Sequence, residues 1–386
     1  MPISRQEAVK GTYILFVLLI LIAPALFDVF WLNRLSKFLV FGMLGISMSL
    51  CWGYAGILNL GQGLFFGLGA YSIGMSLKLA SATSLQQGST TPIPDFMLSN
   101  AEPGAKADLC CINAGSFLWM PFNNQYFGLA VGIVLPVVIA FIIGNVVFRK
   151  RIAGVFVSII TLAIVLLTRM LVVQAQPFTN GFNGLTDLGY LSLLGVEFDP
   201  YALSSYYLIA FSLIAVLAVS RFITATRAGL ILQASRDDDR RARFLGFDVA
   251  SYQLFFFCVA AAISGYAGML YVVASGFVSP TFMDLSFSIS MVIWAAVGGR
   301  HSLLAACIGA ILINLVQATV SETPEFVEAW TVVMGLAFIM AVLFLPRGIA
   351  GICMGMAERF FTRDEPPPGN DAHIIGAAVS APGEAR

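Results

Sequence analysis

One short stretch, residues 226–247, collects eight charged side chains in a chain where 11% of residues are charged. They are Arg227, Arg236, Arg240, Arg241 and Arg243 with Asp237, Asp238 and Asp239. Guanidinium and carboxylate groups form ion pairs and strong charge-assisted hydrogen bonds, so this stretch could dock a soluble partner. The alternative is a solvated loop that its arginines hold on one side of a membrane. Residues 226–247 are called the hinge below.

Spacing within the hinge predicts a short exposed helix. Two acidic residues each stand four positions before an arginine, the order that supports a helix. The pairs are Asp237 with Arg241 and Asp239 with Arg243. We expect Ser235 to cap the start of this helix and Gly246 to end it. Its apolar contacts would come from Leu230, Leu232, Phe244, Leu245 and Phe247.

A second group of residues could contact a solute. Residues 52–71 read WGYAGILNLGQGLFFGLGAY and place two amides, Asn59 and Gln62, among six glycines. Uncharged amides can hydrogen-bond a polar neutral solute, and Gly61 and Gly63 would let a helix unwind and offer backbone N–H and C=O groups. The alternative is packing alone, because small residues at four-residue spacing let helices approach closely. Weaker candidates of the same kind are Thr161, Asn180 and Asn183.

Composition indicates that these residues belong to a membrane protein. Hydrophobic residues make up 59% of the 386, and mean hydropathy is +0.88, whereas a soluble domain is about half apolar and a quarter charged. About 20 apolar residues cross a bilayer, so we predict an all-α polytopic transmembrane helix bundle of about ten spans. The predicted spans are residues 12–30, 38–55, a third ending near 80, 126–148, 152–173, 205–222, 252–275, two within 287–320 separated at 298–301, and 329–345.

Domain organisation and orientation follow from the same pattern. Residues 1–361 are expected to form one transmembrane domain with a charged loop at 223–251, and residues 362–386 a disordered tail. With the N-terminus inside, sixteen of the 21 Lys and Arg residues fall in cytoplasmic segments. The positive-inside rule therefore predicts that both termini and the hinge are cytoplasmic.

The predicted spans contain almost no charge. A buried charge usually marks an ion or proton pathway, and no carboxylate lies where it would couple transport to protons or sodium. Arg169 is expected near the outer end of its helix, where its side chain can reach the interface. No G-x-x-x-x-G-K-[ST] loop is present to hold ATP. Transport by this chain would therefore be passive, or driven from outside through the hinge.

Other function classes lack the residues they need. The chain has two histidines, His301 and His373, and six cysteines without metal-site spacing, so no catalytic or metal-binding constellation is visible. We expect no enzyme activity and no cofactor in this chain. Formal net charge is zero, which gives no indication of a nucleic-acid partner.

Several motifs resemble one family, the membrane permease subunits of ABC importers for branched-chain amino acids and their urea- or amide-transporting relatives. Residues 52–63 are similar to its WGYxGxLSLGHG, with Asn59 and Gln62 replacing Ser and His. Asn183 begins an NGL motif, and LPRGI closes the pattern at 345–349. The hinge resembles RxGxxLxAxRxDExxAxxLG through Arg227, Gly229, Leu232, Ala234, Arg236, Asp238, Leu245 and Gly246, with Asp239 at the usual glutamate.

The resemblance implies a multi-subunit machine in a bacterial-type inner (plasma) membrane. The hinge, including Asp237, would be the coupling helix that fits a cytoplasmic ATPase subunit, which would hold the ATP and Mg. A second homologous permease would complete the pathway, and an extracytoplasmic solute-binding protein would deliver the solute to loops 81–125 and 174–204. The insert at 81–125 and the ETPEF run at 322–326 look more like the urea-type subunit.

Three alternatives for function stay open at this point. Urea or a short amide is the expected solute, and a branched-chain amino acid is the alternative. A stand-alone channel or facilitator for a small neutral solute would suit the charge-poor spans equally. Flux through the lone chain in energy-free vesicles would favour the facilitator.

Overall fold

A computed structural model describes residues 5–82, 84–85, 92–94, 96, 118–152 and 154–320, together with positions 332, 335, 336, 339 and 348. Outside the described residues lie the tail, the ETPEF run, and most of the predicted last span at 329–345, of the LPRGI run and of the polar loop at 81–125. Cys110, Cys111 and Cys353 lie outside them as well, whereas Cys51, Cys258 and Cys307 are free thiols.

The described chain is almost entirely helical. Its helices are α1 Arg5–Leu26, α2 Val29–Met48, α3 Gln62–Ala80, α4 Gln125–Arg149, α5 Val155–Gln174, α6 Leu203–Ala225, α7 Arg227–Asp237, α8 Asp239–Phe244, α9 Val249–Ser275, α10 Leu285–Gly298 and α11 Leu303–Val320. A π-helical turn, Ser49–Tyr54, extends α2, and shorter helical turns occupy Met120–Asn123, Gln176–Thr179, Gly181–Asn183 and Pro280–Met283. Two small antiparallel hairpins pair β1 Ser84–Leu85 with β2 Pro92–Ile93 and β3 Leu191–Leu193 with β4 Val196–Phe198.

Six described helices are long and apolar enough to cross a membrane. They are α2 with its π-helical turn, α3, α4, α5, α6 and α9. Helices α10 and α11 meet the same test only as a pair bent by 119°, and the apolar part of α1, Gly11–Leu26, is shorter than a full span. The all-α polytopic bundle is therefore confirmed. The count of ten spans stays a prediction.

One predicted boundary is wrong. The second span was expected at 38–55, but α2 begins at Val29, directly after Asp28. The sequence pattern hid this start because Asn33, Arg34 and Lys37 interrupt the apolar run. Asn33 is nevertheless buried, and its side-chain amide donates to the backbone oxygens of Pro200 at 2.8 Å and Ala274 at 2.9 Å.

The bundle has a dense centre and a lipid-facing side. About 78% of the apolar windows of α2 and α3 and 72% of that of α9 are buried, against 28% for α4 and 22% for α5. A Cβ on Gly69 of α3 would stand 2.0 Å from the backbone oxygen of Gly265 in α9, so the two backbones touch. Gly268 likewise lies against the backbone of Phe66. Small residues therefore let the backbones of α3 and α9 pack closely.

Arg169 is held differently from the prediction. Its Nε lies 2.7 Å from Oδ1 of Asp284, and both side chains are about 30% exposed. Asp284 immediately precedes α10, so the ion pair ties α5 to the start of α10. The side chain therefore has a partner within the protein, which spacing along one helix could not indicate.

Candidate coupling and translocation site

The hinge is two helices and not one. Asp238 has φ −153° and ends α7, and its Oδ1 accepts from the N–H groups of Arg240 and Arg241 at 3.1 Å, which caps α8. The predicted cap by Ser235 is wrong, because that hydroxyl lies inside α7 and donates to the backbone oxygen of Leu232 at 2.7 Å. The hinge therefore bends at its central aspartate.

The bend changes one of the two predicted ion pairs. Asp239 pairs with Arg243 at 2.7 Å, as the four-residue spacing predicts within α8. Asp237 lies across the bend and pairs with its neighbour Arg236 at 2.9 Å, while Arg241 pairs with Asp238 at 2.9 Å. Spacing rules for one continuous helix fail at this point because α7 and α8 have different axes.

Glycines fix both ends of the hinge. Gly246 adopts φ +87°, a backbone conformation that favours glycine, and its N–H donates to the oxygen of Arg243 at 2.9 Å. This end of α8 is confirmed. At the other end, a Cβ on Gly229 would stand 2.2 Å from the backbone oxygen of Thr224, so only glycine lets α7 fold back this closely on α6.

The hinge has an inward and an outward face. Gly229, Leu232, Ser235 and Ala242 are buried. On the outward side Leu230 is 61% exposed, Leu245 76% and Phe244 91%, and Arg227 is also exposed. Exposed apolar side chains beside charges are typical of a surface that binds another protein.

Arg236 reaches from the hinge into the membrane domain. Its Nη1 donates to the backbone oxygen of Gly53 at 2.6 Å and lies 3.1 Å from Nδ1 of His301. Gly56, at φ +71°, lies against the same side chain, since a Cβ there would stand 2.9 Å from Cγ of Arg236. One guanidinium therefore joins the hinge to the end of α2 and to the turn between α10 and α11.

The α10–α11 turn closes on the π-helical turn after α2. Ser49 donates to the backbone oxygen of Arg300 at 2.8 Å, and the Arg300 guanidinium lies over the Trp52 ring at 4.8 Å. A Cβ on Gly53 would stand 1.7 Å from the Arg300 oxygen. The sequence marked this turn only as a break between spans, and no spacing signal connected it to the hinge.

The surroundings of His301 disfavour its charged form. Partial burial and the neighbouring Arg300 and Arg236 guanidiniums lower the pKa of His301, despite the opposing effects of Gly53 and Asp237. Nε2 of the ring lies 3.1 Å from Nε of Arg300, and Nδ1 lies 3.1 Å from Arg236. A neutral imidazole has one acceptor nitrogen, so only one of these two arginine contacts can be a hydrogen bond at a time.

Beyond the π-helical turn the chain is unwound from Ala55 to Gly61 before α3 begins at Gln62. Asn59 is 1% exposed, and its Oδ1 accepts from the N–H of Gly61 at 2.8 Å. Among the residues that the structure describes, its Nδ2 has no hydrogen-bond partner. Unwound backbone with an unpaired amide donor is what a solute with acceptor oxygens needs.

Gln62 belongs to a buried polar chain across three helices. Its Oε1 accepts from Oγ of Ser264 in α9 at 2.7 Å, and its Nε2 lies 3.7 Å from Sγ of Cys51. Ser264 lies 3.0 Å from Oγ of Ser47 in α2, which in turn donates to the backbone oxygen of Ala260 at 2.7 Å. Sequence reasoning missed both serines, because their links span more than 200 positions.

The other predicted pathway residues divide into two groups. Thr161 is buried on α5, 3.0 Å from the position that a Cβ on Gly61 would take, and Gly63 lies against the backbone of Phe282. These residues lie with Asn59 and Gln62 around the unwound segment at 55–61, called the break below. Asn183 does not, since it is exposed in the loop after α5. Asn180 also lies there, and its amide donates to the oxygen of Gly184 at 2.8 Å.

A cleft of about 740 Å³ lies between the break and the hinge. Ala55, Gly56 and Ile57 of the break line it together with Arg236 and Asp239 of the hinge. Within the described part of the chain, no group of three or more His, Cys, Asp or Glu side chains could hold a metal ion. The site consists of a charged hinge, one arginine link and an unwound segment inside a helix bundle.

Comparison with known proteins agrees with this architecture. A family model described as the branched-chain amino acid transport system permease component matches residues 30–343. The chain belongs to this permease family. The permease is 24% identical over 342 residues to LivM of Escherichia coli K12, a high-affinity branched-chain amino acid transport system permease protein, with 81% of this chain and 68% of LivM covered.

Two further relatives match the chain over different lengths. LivM of Salmonella typhimurium is 23% identical over the same length and coverage. LivH of Escherichia coli K12, another permease protein of such a system, is 28% identical over 138 residues, 36% of this chain and 44% of LivH. No solved structure matches the chain. The family and the apolar helices make this permease a multi-pass inner-membrane protein.

Proposed function

We propose that this permease forms the translocation pathway of an ATP-driven importer, with the hinge docked on a separate cytoplasmic ATPase subunit. The observation that carries this proposal is Arg236, whose side chain extends from the hinge and hydrogen-bonds Gly53 in the π-helical turn just before the unwound segment. A movement of the hinge would pull directly on that segment. ATP and Mg would reside on the ATPase, because this chain has no lysine loop of the usual ATP-binding type.

Our proposed topology has ten spans with both termini and the hinge in the cytoplasm. Its support is the meeting of basic segments at one end of the bundle. Arg151, Arg236, Arg240 and Arg243 line one cleft, and Arg300 lies beside Arg236 through His301. A shared cytoplasmic location agrees with the positive-inside rule.

For the pathway we propose the break at 55–61 with Asn59, Gly61, Gln62, Gly63 and Thr161. Two solute classes fit. Urea or a short amide is supported by the uncharged hydrogen-bond partners of Asn59 and Gln62. An aliphatic amino acid is supported by the names of the LivM and LivH relatives. Competition of each unlabelled solute against labelled uptake would separate them.

The proposed partners complete the machine. LivM and LivH both match this chain, so we propose a second homologous permease beside it. An extracytoplasmic binding protein would deliver the solute at the face opposite the hinge, where the β3–β4 hairpin exposes Leu194. Asn183, exposed in the preceding loop, is assigned to that delivery face and not to the pathway.

The test is capture of ATPase subunits by the purified permease. A Leu230→Asp, Leu245→Asp variant places charge on the outward face of the hinge, and we expect at least a tenfold loss of captured ATPase. Leu194→Asp is the matched control, because Leu194 is 94% exposed on the β3–β4 hairpin and should leave capture unchanged.

A passive facilitator predicts the opposite result. The lone permease would then carry solute into energy-free vesicles, and no ATPase would be captured by the wild type or by either variant. That pair of results would contradict the driven importer.

A further inference from the structure

The cleft between hinge and membrane domain carries a strong positive charge that coupling does not require. Arg151, Arg236, Arg240 and Arg243 line it, against one lining aspartate, Asp239. Arg236 and Arg243 are already paired with Asp237 and Asp239. Arg151 and Arg240 have no ion-pair partner among the described residues. Four guanidiniums facing one concave space attract an anion.

The lining of the cleft is also partly apolar. Phe148 at the end of α4, Ile152 in the following turn and Val157 at the start of α5 contribute to its lining. Helices α4 and α5 are also the two spans with the least buried surface, so their exposed sides face lipid. A ligand that fills this cleft must therefore be anionic at one end and apolar at the other.

We propose that the cleft binds the phosphate headgroup of an anionic phospholipid, with its acyl chains along α4 and α5. Guanidinium groups bind phosphate oxygens in a bidentate geometry. Basic pockets between helices at the cytoplasmic boundary are suited to anionic lipid headgroups. A soluble phosphate would bind the arginines and leave the apolar lining residues in contact with water, which is why we assign the lipid. This inference is independent of the transported solute.

The bound lipid would contact the hinge through the arginines that line the cleft. Arg236, Arg240 and Arg243 all line the cleft, whereas Arg241 does not line it and is 86% exposed. An anion bridging Arg151 to Arg240 would tie the α4–α5 turn to α8. Lipid composition would then set how freely the hinge moves.

The experiment is a binding titration of the full-length chain in neutral detergent. The probes are short-chain phosphatidylglycerol, short-chain phosphatidylcholine and inorganic phosphate, with dissociation constants measured by native mass spectrometry. We expect the wild type to bind phosphatidylglycerol at least tenfold tighter than either other probe. In an Arg151→Gln, Arg240→Gln variant the affinity for phosphatidylglycerol should fall about fivefold for each guanidinium removed.

Two further variants keep the result interpretable. Arg241→Gln removes a hinge arginine outside the cleft and should leave the affinity for phosphatidylglycerol unchanged. Arg151→Lys with Arg240→Lys keeps both charges without the bidentate geometry and should recover part of the binding lost in the glutamine pair, which separates lost charge from misfolding.

Any of four outcomes would overturn the proposal. If phosphatidylcholine bound as tightly as phosphatidylglycerol, the anionic headgroup would not be needed for binding. If inorganic phosphate bound as tightly, the ligand of the cleft would be a soluble anion. If Arg241→Gln weakened phosphatidylglycerol binding as much as the Arg151→Gln, Arg240→Gln variant does, the binding would depend on the overall surface charge and not on the cleft. If phosphatidylglycerol were lost when the ATPase binds, the ATPase and not a lipid would occupy the cleft in the assembled complex.

Discussion

The junction of α3 with α9 and the hinge hold their helices together by opposite means. At the junction, Gly69 and Gly265 bring two backbones into contact, and the buried hydroxyl of Ser264 donates to the Gln62 amide. In the hinge, α7 and α8 are joined by Asp238 and held by ion pairs that water reaches. The first region has no charge and the second has few buried side chains.

The difference follows from the surroundings of each region. Between helices inside lipid there is no hydrophobic drive, so close packing and uncharged hydrogen bonds must supply the attraction. At the aqueous boundary charged groups stay hydrated, and each exposed pair contributes little stability. In the proposed function the junction stays fixed while the hinge moves, and the Arg236–Gly53 hydrogen bond connects the two regions.

The largest effect is expected from breaking the junction. Gly69→Ala places a methyl group about 2.0 Å from the backbone oxygen of Gly265, which cannot move aside without separating α3 from α9. Forced overpacking of this kind typically costs about 1–3 kcal/mol, and occasionally more. We expect loss of monodisperse protein in size-exclusion chromatography and a lower melting temperature.

Gly11→Ala is the control for that change, because a Cβ at Gly11 of α1 meets nothing within 4 Å. Wild-type behaviour of both variants would mean that α3 and α9 are not in backbone contact.

An intermediate effect is expected in the hinge. Asp238→Ala removes the cap that accepts from the N–H groups of Arg240 and Arg241, a loss of about 1 kcal/mol. Hydrogen exchange at those two amides should accelerate about fivefold while exchange in α9 stays constant. Asp238→Asn keeps a capping oxygen and should stay near the wild-type rate, and acceleration equal to that of the alanine variant would count against the cap.

The smallest effect on stability is expected at Gln62. Gln62→Leu removes one hydrogen bond to Ser264, which keeps its contact with Ser47, and such bonds in membranes average about 0.6 kcal/mol. Uptake should nevertheless fall severalfold, because the amide lies at the proposed pathway. Ser72→Ala, which removes a bond within α3 only, is the control. A variant with lower stability and unchanged uptake would limit Gln62 to packing.

Local features of the hinge were predictable from sequence. Asp239 and Arg243 pair, and Gly246 ends α8, because both features depend on residues within one helical turn. The pairing of Asp237 with Arg241 and the cap at Ser235 were wrong for one reason. The chain bends at Asp238, and spacing arithmetic assumes a continuous helix.

Contacts between distant residues were beyond sequence reasoning. The amides Asn59 and Gln62 attracted notice as polar residues among glycines, but no pattern could pair Gln62 with Ser264 or Arg169 with Asp284. The same holds for Arg236 and His301, which lie 65 positions apart. The family resemblance predicted a coupling role for the hinge, whereas the contact of Arg236 with Gly53 was visible only in the structure.

The most direct test of the account is the number of solute molecules imported per ATP hydrolysed by the reconstituted importer carrying Arg236→Ala. The guanidinium points inward at Gly53, so ATPase capture and ATP hydrolysis should persist while uptake falls at least tenfold. The ratio should therefore collapse. A ratio equal to that of the wild type would contradict the claim that Arg236 carries hinge movement to the unwound segment.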